Sequence, residues 1–291
     1  MGAGTQAVRR PFTRAGLKTA ALTSAVPWDE IERVIILSPH LDDAALSCGG
    51  LLNFLIGRKA ACLVISIYCG TPAPVKNGDG TLRNALRKGH VSPRLRRRED
   101  VAAMHSANAD FVHLGFLDGI YRRSPLTNQF IYRHAREKWV APRIDDLAHV
   151  EELYLVLRRH CLHLGRILLV SPMGIGQHVD HTIVARVAVR LAEQGVSVLF
   201  FEDFPYVVNQ KVGQGSQDNP LQALGRLGQE TVSRLVLPVN VNAKADVIRH
   251  YHSQIPALFN DDQGLMAALQ ASQHAGLPSE FYWKAQTPRP N

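Results

Sequence analysis

Short runs of β-branched and aliphatic residues alternate along the chain with longer segments in which apolar residues recur at helical spacing. The short runs are typical of buried strands and occupy Arg33–Ser38, Ala61–Tyr68, Phe111–Gly115, Arg166–Ser171 and Val196–Phe201. The helical segments between them are Asp42–Leu55, Arg96–Asn108, Ile144–Leu162 and His178–Gln194. Strands that alternate with helices form βαβ units. The pattern therefore predicts an α/β fold, with a Rossmann-like, mostly parallel sheet and helices on both of its faces.

The C-terminal part of the chain adds further elements to this alternation. A strand-like run covers Arg234–Val239, and a helical pattern covers Ala243–Gln254. Residues 71–90 and residues 209–230 are rich in Gly together with Pro, Asn or Gln. Such composition is typical of loops, and loops of this length often serve as functional lids.

One domain is expected over residues 31–291, because the chain shows neither an internal repeat nor a sharp change in composition. Residues 1–30 are expected to be a flexible leader, since their apolar patch is too short for a secretory signal. Hydrophobic residues make up 46% of the chain, but no run of roughly 18 apolar residues occurs, so no membrane span is predicted. The four cysteines form no CxxC pair, which favours buried thiols in a reducing, cytoplasmic environment.

Much of the net charge of +8 lies in residues 83–98, which hold two groups of arginine and lysine residues. A solvated loop and helix start account for such charges, and a nucleic-acid surface is the alternative. Aromatic residues make up only 7% of the chain, and no nucleic-acid-binding motif accompanies the basic groups. We therefore expect no nucleic-acid partner. The sequence carries no indication of an oligomeric state.

Two polar motifs directly follow predicted strands. Ser38–Asp43 follows the first strand, and His178–His181 follows the fourth. Ligands of open α/β sheets bind in the crevice at the carboxyl ends of the strands. If these two strands are near neighbours in the sheet, both motifs face one cleft.

The residue types in these motifs suit a divalent metal. His40, Asp43 and His181 would make a set of two histidines and one carboxylate, which leaves a coordination position open for water. Zinc is the predicted metal, although such a set also accepts Fe(II), Co(II) or Mn(II). A metal of this kind lowers the pKa of a bound water to roughly 7. Asp42, which lies next to the ligand Asp43, is the candidate general base for that water.

The other two polar residues of the second motif are candidates for catalysis. His178 precedes His181 by three residues and shares a helical face with it, so one histidine can bind metal while the other addresses the substrate. Asp180 is expected to keep His178 protonated, as a neighbouring carboxylate raises the pKa of an imidazole. A protonated His178 would stabilise an oxyanion or protonate a leaving amine.

Each motif alone has a simpler explanation. Asp42 and Asp43 can serve as helix N-caps after a proline, and patterns as short as HxxDD and HxDH occur by chance. The occurrence of both motifs at strand ends in an alternating α/β chain favours the catalytic interpretation.

The same stretches resemble a known family. Ser38–Gly50, which reads SPHLDDAALSCGG, resembles the first motif of the PIG-L/LmbE-like family of zinc-dependent N-acetylglucosaminyl deacetylases. Gln177–His181, which reads QHVDH, matches the HxDH motif of that family. Three further stretches agree in place and order, namely Arg97–Asp100, Leu117–Gly119 and Tyr251–Gln254. The resemblance extends over roughly residues 33–256.

The resemblance implies a role for each matching residue. It places the metal ligands at His40, Asp43 and His181, the general base at Asp42, the acid or oxyanion stabiliser at His178 with Asp180 tuning it, and sugar contacts at Asp118 and Arg97. These metal ligands and this base are the residues that the chemistry of the motifs indicates independently.

The chain departs from the family pattern at a few positions. Leu41 replaces the usual proline and Ala44 the usual glutamate, and neither position supplies a metal ligand in the family. The lost glutamate is expected to alter hydrogen bonding around the ligands or the choice of substrate. Gly176 stands where some members carry a catalytic tyrosine. Phe201–Tyr206, after the fifth predicted strand, is interpreted either as a wall of the cleft or as an ordinary turn.

Together these features predict a metal-dependent hydrolase that removes an N-acetyl or other N-acyl group from a small amino sugar or glycoconjugate. A biosynthetic intermediate of a specialised metabolite is one such substrate. One alternative is an amidase that cleaves a larger amide conjugate. Another is a non-catalytic, nucleotide-binding Rossmann-like module, but no GxGxxG motif follows the first strand.

Overall fold

One sheet runs through the centre of the molecule. The structure is a computed structural model, and it describes residues 18–73, 91–161, 165–208, 218–229 and 232–285. The strands are β1 (Lys18–Ala21), β2 (Arg33–Ser38), β3 (Ala61–Ser66), β4 (Asp110–His113), β5 (Ile167–Pro172), β6 (Ser197–Phe201), β7 (Val232–Pro238), β8 (Gln273–His274) and β9 (Leu277–Ala285). Their order across the sheet is β1-β7-β9-β6-β5-β2-β3-β4, with β8 paired to β9.

Most neighbouring strands in this sheet are parallel, as the alternation of elements predicts. Strands β6, β5, β2, β3 and β4 form a parallel series, and β1 is parallel to β7. Strand β9 lies between β6 and β7 and is antiparallel to both. The sequence pattern did not predict β9, so the C-terminal additions contribute to the sheet itself.

Helices cover both faces of the sheet. They are α1 (Leu22–Ala25), α2 (Asp43–Leu55), α3 (Pro93–Ser106), α4 (Leu147–Cys161), α5 (Val179–Glu193), α6 (Pro220–Arg226), α7 (Val241–Ile248), α8 (Ile255–Phe259) and α9 (Asp262–Ala271). Alternate residues of a strand point to opposite faces. In β2, Val34 and Ile36 join the core beneath α2, α3 and α7. Ile35 and Leu37 join the core beneath α4 and α5.

Helix α2 packs unusually close to the C-terminal strands. A Cβ atom at Gly50 would lie 2.2 Å from Cγ1 of Val239, and one at Gly49 would lie 2.9 Å from Cγ of Lys244. Glu280 of β9 accepts a hydrogen bond of 2.6 Å from the Gly50 N–H and pairs with Nζ of Lys244 at 2.7 Å. The two glycines therefore permit the close packing that their place in a helical pattern indicates.

The predicted boundary of the leader at residue 30 is wrong. Lys18–Ala21 pairs in parallel with β7, and the side chain of Leu22 is fully buried in the core. Burial of this apolar side chain ties residues 18–30 to the domain. Residues 1–17 lie outside the described part of the chain, so the leader stays a prediction there, as does the extent of the domain.

The two predicted loops lie only partly within the described residues. Residues 74–90, with the basic residues Arg83, Arg87 and Lys88, lie outside them, as do residues 209–217. Within the second predicted loop, residues 220–226 form the helix α6, whose first turn carries a capping box between Asn219 and Gln222. No described helix combines the length and the apolar character needed to cross a bilayer.

Candidate active site

The two polar motifs meet at the carboxyl ends of adjacent strands. Strands β2 and β5 are paired in parallel, so the segments that follow them lie side by side. His40 lies in the turn between β2 and α2, and His181 lies in the first turn of α5. The adjacency that the sequence argument required is therefore present.

The three predicted metal ligands lie together, with both histidines close to the same carboxylate oxygen of Asp43. Nδ1 of His40 lies 3.2 Å from Oδ2 of Asp43, and Nε2 of His181 lies 3.3 Å from the same oxygen. The three residues are 7%, 4% and 1% exposed. Nε2 of His181 is buried and makes no hydrogen bond within the described part of the chain. Ligand atoms of these residues lie within 4.8 Å of one another, so they fit a divalent metal.

The remaining ring nitrogen of each histidine contacts a carboxylate. Nδ1 of His181 lies 2.6 Å from Oδ1 of Asp203, and Nε2 of His40 lies 3.0 Å from Oδ2 of Asp180. Carboxylates in this position orient a histidine ligand and fix its tautomer. Each imidazole is thereby held with its other nitrogen directed at the cluster. Asp203 was not among the predicted site residues, although the segment Phe201–Tyr206 was a candidate wall of the cleft.

The carboxylates around His40 and His181 favour positive charge in the cluster. Burial by itself would lower the pKa of His40, but hydrogen bonds to Asp180 and Asp43 raise it to about 9. In the same way, Asp43 and Asp203 outweigh burial and raise the pKa of His181 to about 10. The metal-free site therefore holds two protons on histidines that a metal must displace, as is usual for metal binding.

Asp180 has a different partner from the one predicted. Its carboxylate accepts hydrogen bonds from the Gly119 N–H at 3.1 Å and from Arg122, besides its contact with His40. His178 instead receives the backbone N–H of Asp180 at Nδ1, at 3.3 Å. Burial lowers the pKa of His178 well below its usual value, and the charges of Lys138 and His40 add to this effect. The expectation that Asp180 keeps His178 protonated is therefore wrong.

A buried arginine secures Asp180. The guanidinium of Arg122 contacts Asp180 and also donates from Nε to Oδ1 of Asp146 at 2.9 Å. Tyr132 donates its hydroxyl proton to the other oxygen of Asp146. Burial opposes ionisation of Asp180, but Arg122 and His40 hold the pKa of its carboxyl well below the usual range. Arg122 and Asp146 were not predicted from the sequence.

The predicted general base is paired with an arginine. Oδ1 of Asp42 accepts a hydrogen bond of 2.8 Å from Nη2 of Arg96. Burial raises the pKa of Asp42, and Arg96 opposes this shift. A raised pKa makes the carboxylate a stronger proton acceptor. The sequence analysis missed Arg96, although it selected its neighbour.

The two predicted sugar-binding residues lie in different surroundings. Oδ2 of Asp118 is 3.7 Å from Nε2 of His40, at the edge of the cluster. Arg97 donates to the carbonyl of Cys69 at 2.5 Å and to the hydroxyl of Thr71 at 3.1 Å. Asp118 thus joins the other predicted residues, whereas the described contacts of Arg97 are with residues 69–71. The role of each residue toward a sugar stays a prediction.

Two of the three further family-like stretches, Arg97–Asp100 and Tyr251–Gln254, are hydrogen-bonded to each other. The hydroxyl of Tyr251 donates to Asp100 at 2.7 Å, and Ser253 donates to Glu99 through its N–H and its hydroxyl, at 2.8 and 2.6 Å. These bonds anchor α3, the helix that carries Arg96.

An aromatic pair borders the histidines. The ring centroids of Trp139 and His178 are 5.0 Å apart, and those of Tyr206 and His181 are 5.5 Å apart. Trp139 and Tyr206 pack edge to face at 5.4 Å. Tyr206 therefore borders the histidine cluster, and residues 204–208 also form a turn, so both interpretations of Phe201–Tyr206 describe part of this segment.

A buried group of two histidines and one carboxylate, a neighbouring carboxylate and a mostly parallel sheet are together typical of a metal-dependent hydrolase with a Rossmann-like fold. The sequence profile described as PIG-L, GlcNAc-PI de-N-acetylase, matches residues 35–192, which is more than half of the chain. The chain belongs to the PIG-L family, as the resemblance of its motifs implied.

Two relatives and one solved structure that resemble the chain are deacetylases. The chain is 27% identical over 246 residues to a 2'-N-acetylparomamine deacetylase from Niallia circulans, with 78% of this chain and 82% of that protein covered. It is 30% identical over 185 residues to the enzyme of the same description from Streptomyces fradiae, with 60% and 57% covered. The zinc-inhibited form of a teicoplanin deacetylase superposes with a TM-score of 0.70 at 25% identity, over 89% of this chain and 100% of that one. The chain is an N-deacetylase, a hydrolase of amide bonds.

Proposed function

We propose that this N-deacetylase removes the acetyl group from an amino sugar of a specialised metabolite, with Zn²⁺ as its metal. The observation that supports this substrate class is that two relatives are 2'-N-acetylparomamine deacetylases and that a structural neighbour is a deacetylase of the teicoplanin biosynthesis pathway. The substrate is a small molecule, and the acetylated amino group on it is the reacting centre.

His40, Asp43 and His181 would hold the metal. Two imidazoles and one carboxylate are a common zinc donor set, and the carboxylates on the outer ring nitrogens favour it further. When bound, such an ion polarises the amide carbonyl and makes a water more acidic.

Asp42 accepts a proton from the attacking water as the water oxygen bonds to the carbonyl carbon. Arg96 orients the Asp42 carboxylate through its 2.8 Å hydrogen bond. Nδ1 of His178 accepts the Asp180 N–H, so the ring proton of a neutral His178 resides on Nε2. That Nε2–H donates a hydrogen bond to the carbonyl oxygen of the substrate. When the C–N bond breaks, Asp42 returns the proton to the leaving nitrogen. The products are acetate and a free amine.

Acetate release from 2'-N-acetylparomamine, N-acetylglucosamine and an N-acetylglucosaminyl glycopeptide tests this proposal. A chelator should abolish release, and Zn²⁺ should restore it. Asp42→Asn should lower the rate by about a hundredfold or more, the usual contribution of a general base. Asp262→Asn makes the same chemical change at an exposed carboxylate that pairs with Arg249, and it should leave the rate unchanged. A rate for Asp42→Asn within a few-fold of wild type, with an unchanged melting curve, refutes the base assignment.

A cytoplasmic location belongs to the same proposal. Its support is that the four cysteines are free thiols and that Cys48, Cys69 and Cys161 are buried, which suits a reducing compartment. Fractionation of the native cells, with detection by antibody, tests it. Recovery of the protein outside the cytoplasmic fraction contradicts it.

A further inference from the structure

The loop of residues 173–177, which leads from β5 to His178, has an unusual backbone. Gly174, Gly176 and Gln177 have φ angles of +78°, +82° and +61°, in the left-handed region that favours glycine. Gln177 lacks the freedom of glycine, because its Cβ atom crowds the backbone in that region. A residue with a side chain keeps this conformation only where its surroundings fix it. The loop directly in front of a proposed catalytic residue is therefore strained and depends on contacts from elsewhere.

Two carboxylates hold the N–H groups of this loop. Asp203, which also contacts His181, accepts two of them in the part of the loop that follows β5. Asp218 accepts the N–H of Gly176 at 3.0 Å, near the other end of the loop. Within the described residues, no hydrogen bond or ion pair joins Asp218 to a proposed metal ligand. Asp218 therefore acts on the part of the loop that precedes His178.

Asp218 is itself firmly placed. Its side chain is 3% exposed and accepts hydrogen bonds of 2.8 and 2.5 Å from the two terminal nitrogens of Arg226. Arg226, the last residue of α6, also donates to the carbonyl of Gly174 at 3.2 Å. Helix α6 buries Ala223 and Leu224 in the core beneath α4 and α5. The loop is thus bonded to an element that is anchored in the core.

The ring of His178 is held less directly than the ring of His181. Among the described residues, its hydrogen-bond partner is the Asp180 N–H, which lies 3.3 Å from Nδ1. The ring otherwise packs against Trp139 and His40, at centroid distances of 5.0 and 4.9 Å. No carboxylate orients it, whereas a carboxylate lies 2.6 Å from Nδ1 of His181. The position of the His178 ring therefore depends on the backbone that carries it.

We propose that Asp218 is a positioning residue, which holds the loop of residues 173–177 so that Nε2 of His178 reaches the carbonyl oxygen of the N-acetyl group. This inference rests on the proposed deacetylation, in which His178 donates to that oxygen as it gains negative charge. Donors aimed at such an oxygen stabilise the transition state, and a displacement of about 1 Å can cost about a hundredfold in rate. No bond to Asp218 forms or breaks in the reaction, so its effect passes through His178.

Asp218→Ala removes the acceptor of the Gly176 N–H. We expect kcat to fall by at least about tenfold and KM to change by less than about threefold, because the donation from His178 matters most in the transition state. Asp218→Asn keeps an acceptor oxygen for that N–H and should retain kcat within about threefold of wild type. The side chain of Arg226 is 34% exposed, so water can solvate its charge when Asp218 is lost. Melting curves establish that each variant is folded.

Asp261→Ala is the matched control. Asp261 also accepts a glycine N–H, that of Gly264 at 2.8 Å, where it caps the N-terminus of α9. Its loss should lower helix stability but leave kcat unchanged, which separates lost stability from lost position. Competition with a chromophoric chelator adds a measurement that does not depend on turnover. Asp218→Ala should bind zinc within about threefold of wild type, and an affinity lowered by about tenfold or more overturns the proposal.

A double substitution shows whether Asp218 acts through His178. His178→Ala removes the donor, and in that background Asp218→Ala should lower kcat by less than about threefold, because residues that act as a unit are not additive. An equal loss of kcat in both backgrounds overturns the role of Asp218. A folded Asp218→Ala whose kcat lies within about threefold of wild type overturns it as well.

The wild-type enzyme and His178→Ala distinguish failure of this inference from failure of the proposed function. If wild type releases acetate and His178→Ala is slow, a fully active Asp218→Ala overturns the role of Asp218 alone. If His178→Ala is as fast as wild type, the proposed role of His178 and this inference are overturned together. If wild type releases no acetate from any of the acetylated sugars, the proposed function is overturned and this inference with it.

Discussion

Replacement of Asp203 by asparagine should reverse the tautomer of a proposed metal ligand. Asp203 is fully buried and accepts three hydrogen bonds. Oδ2 receives the N–H groups of Met173 and Ile175 at 3.1 and 2.8 Å, and Oδ1 contacts Nδ1 of His181 at 2.6 Å. In Asp203→Asn the amide oxygen can keep both backbone bonds, so the amide nitrogen must face His181. An amide nitrogen only donates, which makes Nδ1 the acceptor and moves the ring proton to Nε2.

A metal binds Nε2 only when the remaining ring proton resides on Nδ1, and in Asp203→Asn that Nδ1–H would face the N–H donor of the amide instead of an acceptor. Loss of a carboxylate behind a histidine ligand typically lowers metal affinity by about 10- to 100-fold, which corresponds to about 1.4 to 2.8 kcal/mol. We expect the tautomer reversal to place Asp203→Asn at the upper end of that range. The two retained backbone bonds should keep the melting temperature close to that of wild type.

Competition with a chromophoric zinc chelator measures this affinity directly. Asp218→Asn is the matched control. Asp218 accepts the N–H of Gly176, the residue after Ile175, but its other contact is with Arg226 rather than with a histidine. It should bind zinc like wild type. If folded Asp203→Asn binds zinc within about threefold of wild type, the tautomer argument is refuted.

Three further predictions concern buried charges. Lys244→Met leaves Glu280 buried without its cation and should lower the free energy of unfolding by about 3 kcal/mol, as measured by urea denaturation; a loss under about 1 kcal/mol contradicts this. The pKa values of His40 and His181 are about 9 and about 10 in the metal-free protein, above the unfolded value of about 6.5. Their stabilisation is therefore complete below about 6.5 and is lost as pH rises through 9 and 10, so the melting temperature of chelator-treated protein should fall over that interval. Zinc binding at neutral pH should release about two protons, as detected with an indicator dye, and an absence of proton release would refute the assigned ionisation.

The core strands and the residues of the His40, Asp43 and His181 cluster could be predicted from the sequence because both depend on local patterns. The buried runs around Arg33–Ser38 and Ile167–Pro172 end at polar motifs, and the chemistry of those motifs indicated a metal. What the sequence left conditional was the adjacency of β2 and β5. Chain order separates these strands by β3 and β4, and only the sheet topology brings them together.

The partners of the ligands could not be predicted because they come from distant segments with ordinary composition. Asp203 and Arg122 belong to connecting segments with no distinctive motif. In the run of arginines, the predicted helix began at Arg96, whereas α3 begins at Pro93 with Ser92 as its N-cap. The sequence therefore did not reveal which arginine of the run faces the cleft. Strand β9 was missed because Ser279, Glu280 and Lys284 interrupt its apolar residues.

The position of β9 makes assembly of the site a late event in synthesis of the chain. All three proposed metal ligands lie within residues 35–192, so they leave the ribosome well before Leu277. Until β9 follows, strands β6 and β7 each lack the partner between them and present open edges that favour aggregation. Glu280 of the same strand also accepts hydrogen bonds from the N–H groups of Gly50 and Leu51, in the middle of α2. A chain truncated before β9 would carry all three proposed ligands and still lack the strand whose Glu280 bonds to α2, the helix that begins at Asp43.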